Sequence, residues 1–449
     1  MKLNSIAGEE ERGAKLGLLR RFSLYGFLKN QQYYDPFLVL AFLQMGLSYT
    51  LIGTLVAFRE VVVNLAEIPT GAIADLFGRR KSMIFSFVSY IVSFVMMGTT
   101  GLNSINRSLP LGTTFLLLMA AMVFFAVGDA FRTGTHKAMI FTWLRIQNRT
   151  HEKTKIYGHT RSWSKIGSAV SVVLASFFVF FSRNFIFIFF FSIVPYILNI
   201  INFLGYPKEV DGDIDENAKL SDVWRHLRES LLVSARNIHL RRIISESMGF
   251  GGFFKAVKDY LQPILEATAL PLAAALFAGV AMTNVQQSVI LIGPVYLVLF
   301  LISAVSSRKS HLFVKKPGGE DRTARMLWGA LSIIMIILLP AMFFDLRWVI
   351  IVGYVILYSL QNIWRPVLIS RFDSYSEEGK GATILSIESQ AKSIATMAFA
   401  PIIGLLVDLT RKNQIGAGPF WPIALIGCLL AILFFATGRT RSDVRTPAA

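Results

Sequence analysis

Apolar residues come in runs of roughly 18–24, separated by short polar stretches, and runs of that length suit α-helices that cross a bilayer. They predict twelve spans, near residues 22–47, 51–75, 82–100, 111–133, 158–182, 184–206, 243–265, 284–306, 325–344, 347–370, 382–408 and 419–437. The expected class is therefore an all-α membrane protein. No short apolar stretch with a small-residue cleavage site precedes the first run, so no removable signal peptide is expected and the N-terminus should be retained.

Composition supports this pattern: 54% of the 449 residues are hydrophobic and only 16% are charged. The net charge of +17 raises the question of nucleic acid, but its distribution answers otherwise. With the N-terminus inside, the outer loops hold only Arg107, Arg183, Arg347, Arg411 and Lys412, as the positive-inside rule requires. No nucleic-acid partner is expected, and both termini are placed on the cytoplasmic side of a plasma membrane of the bacterial inner-membrane type. The lone Cys428 excludes disulfides and thiolate metal sites. The six histidines fall in loops or at helix ends, which argues against a buried histidine relay.

Between the sixth and seventh runs lies the longest polar segment, Tyr206 to about Arg242. It opens acidic (Glu209, Asp211, Asp213, Asp215, Glu216) and then carries Leu220, Val223, Trp224, Leu227 and Leu231 at helical spacing. That pattern reads either as a solvated linker or as a surface helix on the inner leaflet, with Arg225, Arg228 and Arg236 on its polar face. The expected units are residues 1–206, the linker 207–242, and 243–449.

The two halves look duplicated. Arg80-Lys81-Ser82-Met83-Ile84-Phe85 recurs as Arg308-Lys309-Ser310-His311-Leu312-Phe313, at an offset of 228. Gly26-Phe27-Leu28-Lys29 matches Gly252-Phe253-Phe254-Lys255 at 226, and Gly158-x-Thr160 matches Gly381-x-Thr383 at 223. After the second run stands Gly71-Ala72-Ile73-Ala74-Asp75-Leu76-Phe77-Gly78-Arg79-Arg80-Lys81-Ser82. This stretch resembles the loop 2–3 signature of the major facilitator superfamily, G-x-L-A-D-x-x-G-R-R/K, with Ile73 in place of leucine. The resemblance covers essentially the whole chain. It implies two pseudo-symmetric six-helix bundles that rock about a midplane site, and a charge network at the cytoplasmic gate that includes Asp75 and Arg79, with Gly71, Gly78 and Arg80 around them. The second copy keeps the cations and loses the acid, so the gate is expected to be asymmetric.

Charged groups inside the runs are the candidate functional residues, since each costs roughly 2.5–3.5 kcal/mol at the bilayer centre unless paired, hydrated or used. In run one, Gln31 and Asp35 share a helical face beside Tyr34, and Pro36 can open the helix there. Asp35 reads as a proton-coupling acid or as half of a fixed ion pair. In run seven, Lys255 and Asp259 stand four apart. They form either an intrahelical salt bridge or a cavity pair opposite Asp35, with Lys258 between them. Run two carries Glu60, Asn64, Glu67, Gly71 and Asp75 as a polar stripe; Arg59 is expected to find its partner on another helix. Glu67 is assigned to coupling or gating.

Run four ends with Asp129, Arg132 and His136 on one face. An arginine near here resembles the family's second signature, linked to proton transfer, while a simple Asp129–Arg132 pair is the alternative. Run ten offers Gln361 and Arg365 for substrate. Lys165 and Glu388, 223 apart, suggest a salt bridge across the cytoplasmic gate that forms in one state and breaks in the other. The phenylalanine run from Phe177 to Phe191 reads as lipid-facing surface.

No P-loop, dinucleotide fingerprint, metal spacing or nucleophile elbow is present, so neither an enzyme nor a cofactor is expected. The expected function is secondary transport of a small molecule by a monomer in membrane lipid, driven by an ion gradient with protons as the coupling ion. Export of an amphipathic or drug-like compound is the first reading. The second is uptake or exchange of an anionic metabolite held by Lys255, Lys258, Arg132 and Arg365; the third is a receptor or scaffold that has lost transport.

Overall fold

A computed structural model describes residues 17–211, 238–309, 319–375 and 381–437, apart from some side chains within these helices. All twelve predicted runs coincide with helix, whole or interrupted. In the first half these are α1 (17–29), α2 (Leu38–Gln44), α3 (Tyr49–Phe77), α4 (Arg79–Ile105), α5 (Leu111–Arg132), α6 (Thr135–Ile146), α7 (Lys153–Ser182) and α8 (Phe187–Leu204). In the second half they are α9 (Ile238–Ser247), α10 (Phe253–Val257), α11 (Leu261–Leu276), α12 (Asn284–Lys309), α13 (Gly319–Phe343), α14 (Arg347–Tyr375), α15 (Gly381–Lys412) and α16 (Trp421–Ala436). Among the described residues, eight helical stretches are long and apolar enough to cross a membrane. This is a multi-pass membrane protein.

Two spans are built from pieces, and both interruptions correct the helical spacing expected from sequence. Span one is not α-helical between α1 and α2, where Pro36 has no N–H to give the Gln32 carbonyl and its ring crowds that carbonyl. Its amides there reach back only three residues, as in Gln31 to Leu28 and Asp35 to Gln32. Gln31 and Asp35 therefore do not share a helical face. Span seven passes from α9 through a π-helical turn at Met248–Gly252 into α10, and from α10 through a 3-10 turn at Lys258–Tyr260 into α11. That rewinding removes the expected Lys255–Asp259 bridge; each residue has another partner. Span four is broken too, at Gly134 with φ +80°, so His136 starts a new helix and leaves the Asp129–Arg132 face.

Within the first half, α4 packs on α5 and α8, and α3 on α5; within the second, α13 packs on α14 and α16, and α11 on α12. The halves join along two seams, α3 against α15 and α7 against α12. Glycine permits the first seam. A Cβ on Gly53 would collide with the Ala400 carbonyl oxygen, and one on Gly404 with that of Tyr49. On the second seam, a Cβ on Gly293 would come within 2.5 Å of Ser176 Oγ.

The phenylalanine run divides its work. Phe177 and Phe181 are exposed on the lipid-facing side, but Phe185 and Phe189 are buried and stack on Phe37 and Phe42 at 5.8 and 6.2 Å. The run is thus only partly lipid-facing, because Phe185 and Phe189 pack against span one. The expected linker helix at 220–231 and the second signature copy from Ser310 to Phe313 lie outside the described residues, as do the side chains of Gly71 and Asp75.

Candidate functional site

We call the end remote from the chain termini the outer end, following the positive-inside expectation. At mid-depth the broken spans one and seven face each other, and their charges meet. Lys258 Nζ lies 3.2 Å from Asp35 Oδ1 and 2.8 Å from Asp259 Oδ1, so one ammonium joins an acid from each half. On α3, Glu60 accepts from Lys255 Nζ at 2.6 Å and from its neighbour Arg59 at 2.9 Å. Arg59 thus finds its partner beside it in sequence, not on another helix, and its guanidinium also lies over the Phe125 ring at 5.8 Å.

The exposures decide what this surface presents. Glu60 is 2% exposed while its partner Lys255 is 33% exposed; Glu388 is 0% exposed while Arg365 is 39% exposed. In both pairs the acid is the buried member and the cation the accessible one. Arg365 Nη1 reaches both oxygens of Glu388 at 2.7 and 2.8 Å, Lys392 Nζ adds a contact at 3.8 Å, and Ser247 Oγ donates to the same carboxylate. Buried carboxylates with several charge-assisted partners hold their charge at a tolerable desolvation cost. Glu388 is therefore committed to its own half. Lys165 is exposed and not bonded to it, so the expected Lys165–Glu388 bridge is absent from this arrangement.

The other expected residues make the following contacts. Gln31 is buried and donates to the Gly167 carbonyl at 3.1 Å, while its Oε1 and that of Gln361 are buried without a partner. The Tyr34 ring is buried between Phe94 and Phe125 in the first half. Arg132 pairs with Asp129 at 2.7 Å and donates to Tyr90 Oη at 3.1 Å; Tyr90 in turn bonds Asp129. Glu67 is half-buried on α3. His136 lies at the start of α6, as expected of the histidines, and is buried there, with its ring 3.8 Å from that of Tyr25 and Nε2 3.3 Å from Tyr206 Oη.

In the signature, Gly78 adopts φ +93° to separate α3 from α4, a conformation that favours glycine. Arg79 donates to Thr142 Oγ1 at 2.9 Å. Arg80 is held by the start of the linker: its amide donates to Asp211 Oδ1 at 2.6 Å and its guanidinium to the Tyr206 carbonyl at 3.0 Å. Asp211 thereby caps the positive N-terminus of α4.

Sequence reasoning missed three groups. Asp408, near the end of α15, accepts from the Tyr49 and Thr50 amides at 3.2 and 2.7 Å and from Thr50 Oγ1 at 2.6 Å. Beside it Tyr49 stacks on Tyr260 at 5.5 Å, with Phe420 against both. Gln262, with no exposed surface, bonds across to span one. Glu246 binds Arg371 at 2.5 Å and Arg242 at 2.8 Å, and Arg371 also reaches Asp321 at 2.8 Å. Each missed acid lies in or near an apolar run, and that placement was the available signal. Every hydrogen bond between described residues of the two halves lies at mid-depth or at the outer end. No group of metal-binding side chains occurs among the described residues.

The Major Facilitator Superfamily family model matches residues 30–387. Solved structures agree in fold. A mutant of the nucleoside transporter NupG aligns with TM-score 0.74 at 12% identity, covering 94% of this chain and all (100%) of that one. A D-xylose-proton symporter aligns at 0.67 and 14%, covering 96% and 99%, and a peptide transporter in complex with sulfate at 0.65 and 12%, covering 93% of each. No curated protein sequence matches the chain.

Proposed function

This chain belongs to the Major Facilitator Superfamily and is a membrane transporter, not an enzyme, and on that premise we propose that its cargo is a small anion moved by alternating access. One observation carries the reading. At the interface between the halves, the acids Glu60 and Glu388 are buried and their cations Lys255 and Arg365 are accessible. An entering anion can replace part of the carboxylate around Lys255 without stripping a cation of all its partners, so its desolvation is offset as it binds.

Protons are the proposed coupling ion, with the Asp35–Lys258–Asp259 cluster as their site. Protonating either carboxylate leaves Lys258 one anion short and loosens the only ammonium that bonds acids of both halves in this cluster. Glu67, half-buried below Glu60 on α3, is a second candidate. Bonds such as Asp408 to Thr50 and Lys255 to Glu60 hold the two halves together at the outer end and at mid-depth, which supports an outward-closed arrangement. Gating at that inner end is assigned to Asp75, Gly78, Arg79 and Arg80, by the signature. We place the protein in a plasma membrane with both termini inside, on the strength of its loop charges.

Export of an amphipathic or drug-like cation is the rival reading. A thermal-shift screen of purified protein against organic anions and lipophilic cations, at an acidic and a neutral pH, separates the two. Stabilisation by an anion, lost in Lys255→Gln, supports the proposal; stabilisation by lipophilic cations, indifferent to Lys255→Gln, supports the rival. Asp35→Asn removes any pH dependence of that stabilisation if the cluster is the coupling site.

A further inference from the structure

In an unbroken helix the Val39 amide would bond the Asp35 carbonyl, four residues back. Here a side chain from the other half stands in that bond. Gln262 Oε1 accepts from Val39 N at 2.8 Å, and its Nε2 donates to the Asp35 carbonyl oxygen at 2.8 Å. The same Nε2 lies 3.5 Å from Asp259 Oδ1. Both ends of the amide are used, and the residue has no exposed surface.

The repeat explains how the two meet. Asp35 and Gln262 are 227 residues apart, inside the 223–228 offsets that relate the halves, and each precedes a proline, Pro36 and Pro263. They are equivalent positions of the two six-helix units. Gln262 stands in the first turn of α11, whereas the chain around Asp35 makes only three-residue turns, which leaves the Asp35 carbonyl to the partner half.

We propose that Gln262 is a positioning residue for Asp35: its amide splints span one open at the coupling cluster while the outer end is sealed, and withdraws when that end opens. On withdrawal the Val39 amide and Asp35 carbonyl bond each other, and span one gains a helical turn at that point. These two backbone groups thus keep a partner in both states, which limits the cost of the exchange. The splint also ties the outer seal to the charges around Lys258, because opening the outer end rewinds the peptide that carries Asp35. The proposal depends on alternating access and not on the nature of the cargo.

The test is a distance measurement between nitroxides at Arg107→Cys and Ile415→Cys, in outer loops of opposite halves, in a Cys428→Ser background without added ligand. Gln262→Leu removes both bonds and raises the long-distance, outer-open fraction by ~10-fold. Gln262→Glu adds a chemical switch. Protonated, it still accepts from Val39 and donates to Asp35; ionised, it lacks the donor and repels Asp35 and Asp259. Its distances match those of the parent at acidic pH and lengthen reversibly at alkaline pH. Because Asp35, Lys258 and Asp259 surround the position, each distribution is referred to the Gln262 parent at the same pH. Parent-like distances in both variants at both pH values overturn the proposal. So does lengthening in Gln262→Glu that is equal at both pH values, which marks general disruption. A cargo other than an anion leaves the result unchanged.

Discussion

Asp408 of the second half accepts the backbone amide of Thr50 in the first half at 2.7 Å, a carboxylate set on the N-terminus of a long helix. Tyr49 and Thr50 open α3, whose first amides have no partner within the helix, and the negative charge also meets the positive end of the helix dipole. An interaction of this kind is worth about 1 kcal/mol. Asp408→Ala therefore shifts the population toward the outer-open state by ~5-fold, read by the same outer-loop distances, and Asp408→Asn, which keeps one acceptor, shifts it less.

Gly404 makes the same seam possible by sterics. A side chain there meets the Tyr49 backbone, which cannot give way without moving α3. Gly404→Val holds the halves apart at the outer end and lengthens the Arg107–Ile415 nitroxide distance relative to the Gly404 parent.

Glu60 competes with an incoming anion for Lys255. Glu60→Gln frees the ammonium and tightens binding of a stabilising anion by ~10-fold, measured by titration calorimetry. Lys255→Gln abolishes it.

Arg371 is 6% exposed and bridges Glu246 and Asp321, which ties spans seven, nine and ten together in the second half. Removing one partner of a buried ion network costs about 3–5 kcal/mol. Arg371→Ala lowers the melting temperature of the purified protein. Arg371→Lys recovers little, because a single ammonium cannot reproduce the separate Nη1 and Nε bonds to the two acids.

Much of the fold was legible because bilayer thickness imposes run length directly, and the twelve runs became helices. The candidate site was legible by residue type only. Lys255, Asp259, Asp35 and Glu388 were singled out as charges in apolar runs, but their partners were assigned by helical spacing or, for Glu388, by the repeat offset. That spacing failed where Pro36 and the π-helical turn at Met248–Gly252 rewound the chain, so Lys255 pairs with Glu60 and Lys258 with Asp35. Gln262 was invisible for a different reason. A neutral amide raises no alarm in an apolar run, and its meaning comes from a backbone bond in the other half.

The central claim is that the accessible cations between the halves bind an anionic cargo. Its most direct test is the transient current produced when purified protein in supported proteoliposomes meets a panel of organic anions and lipophilic cations. The account predicts a current on addition of at least one anion, abolished by Lys255→Gln and by Arg365→Gln. A current evoked only by lipophilic cations, and unchanged in both variants, would contradict it.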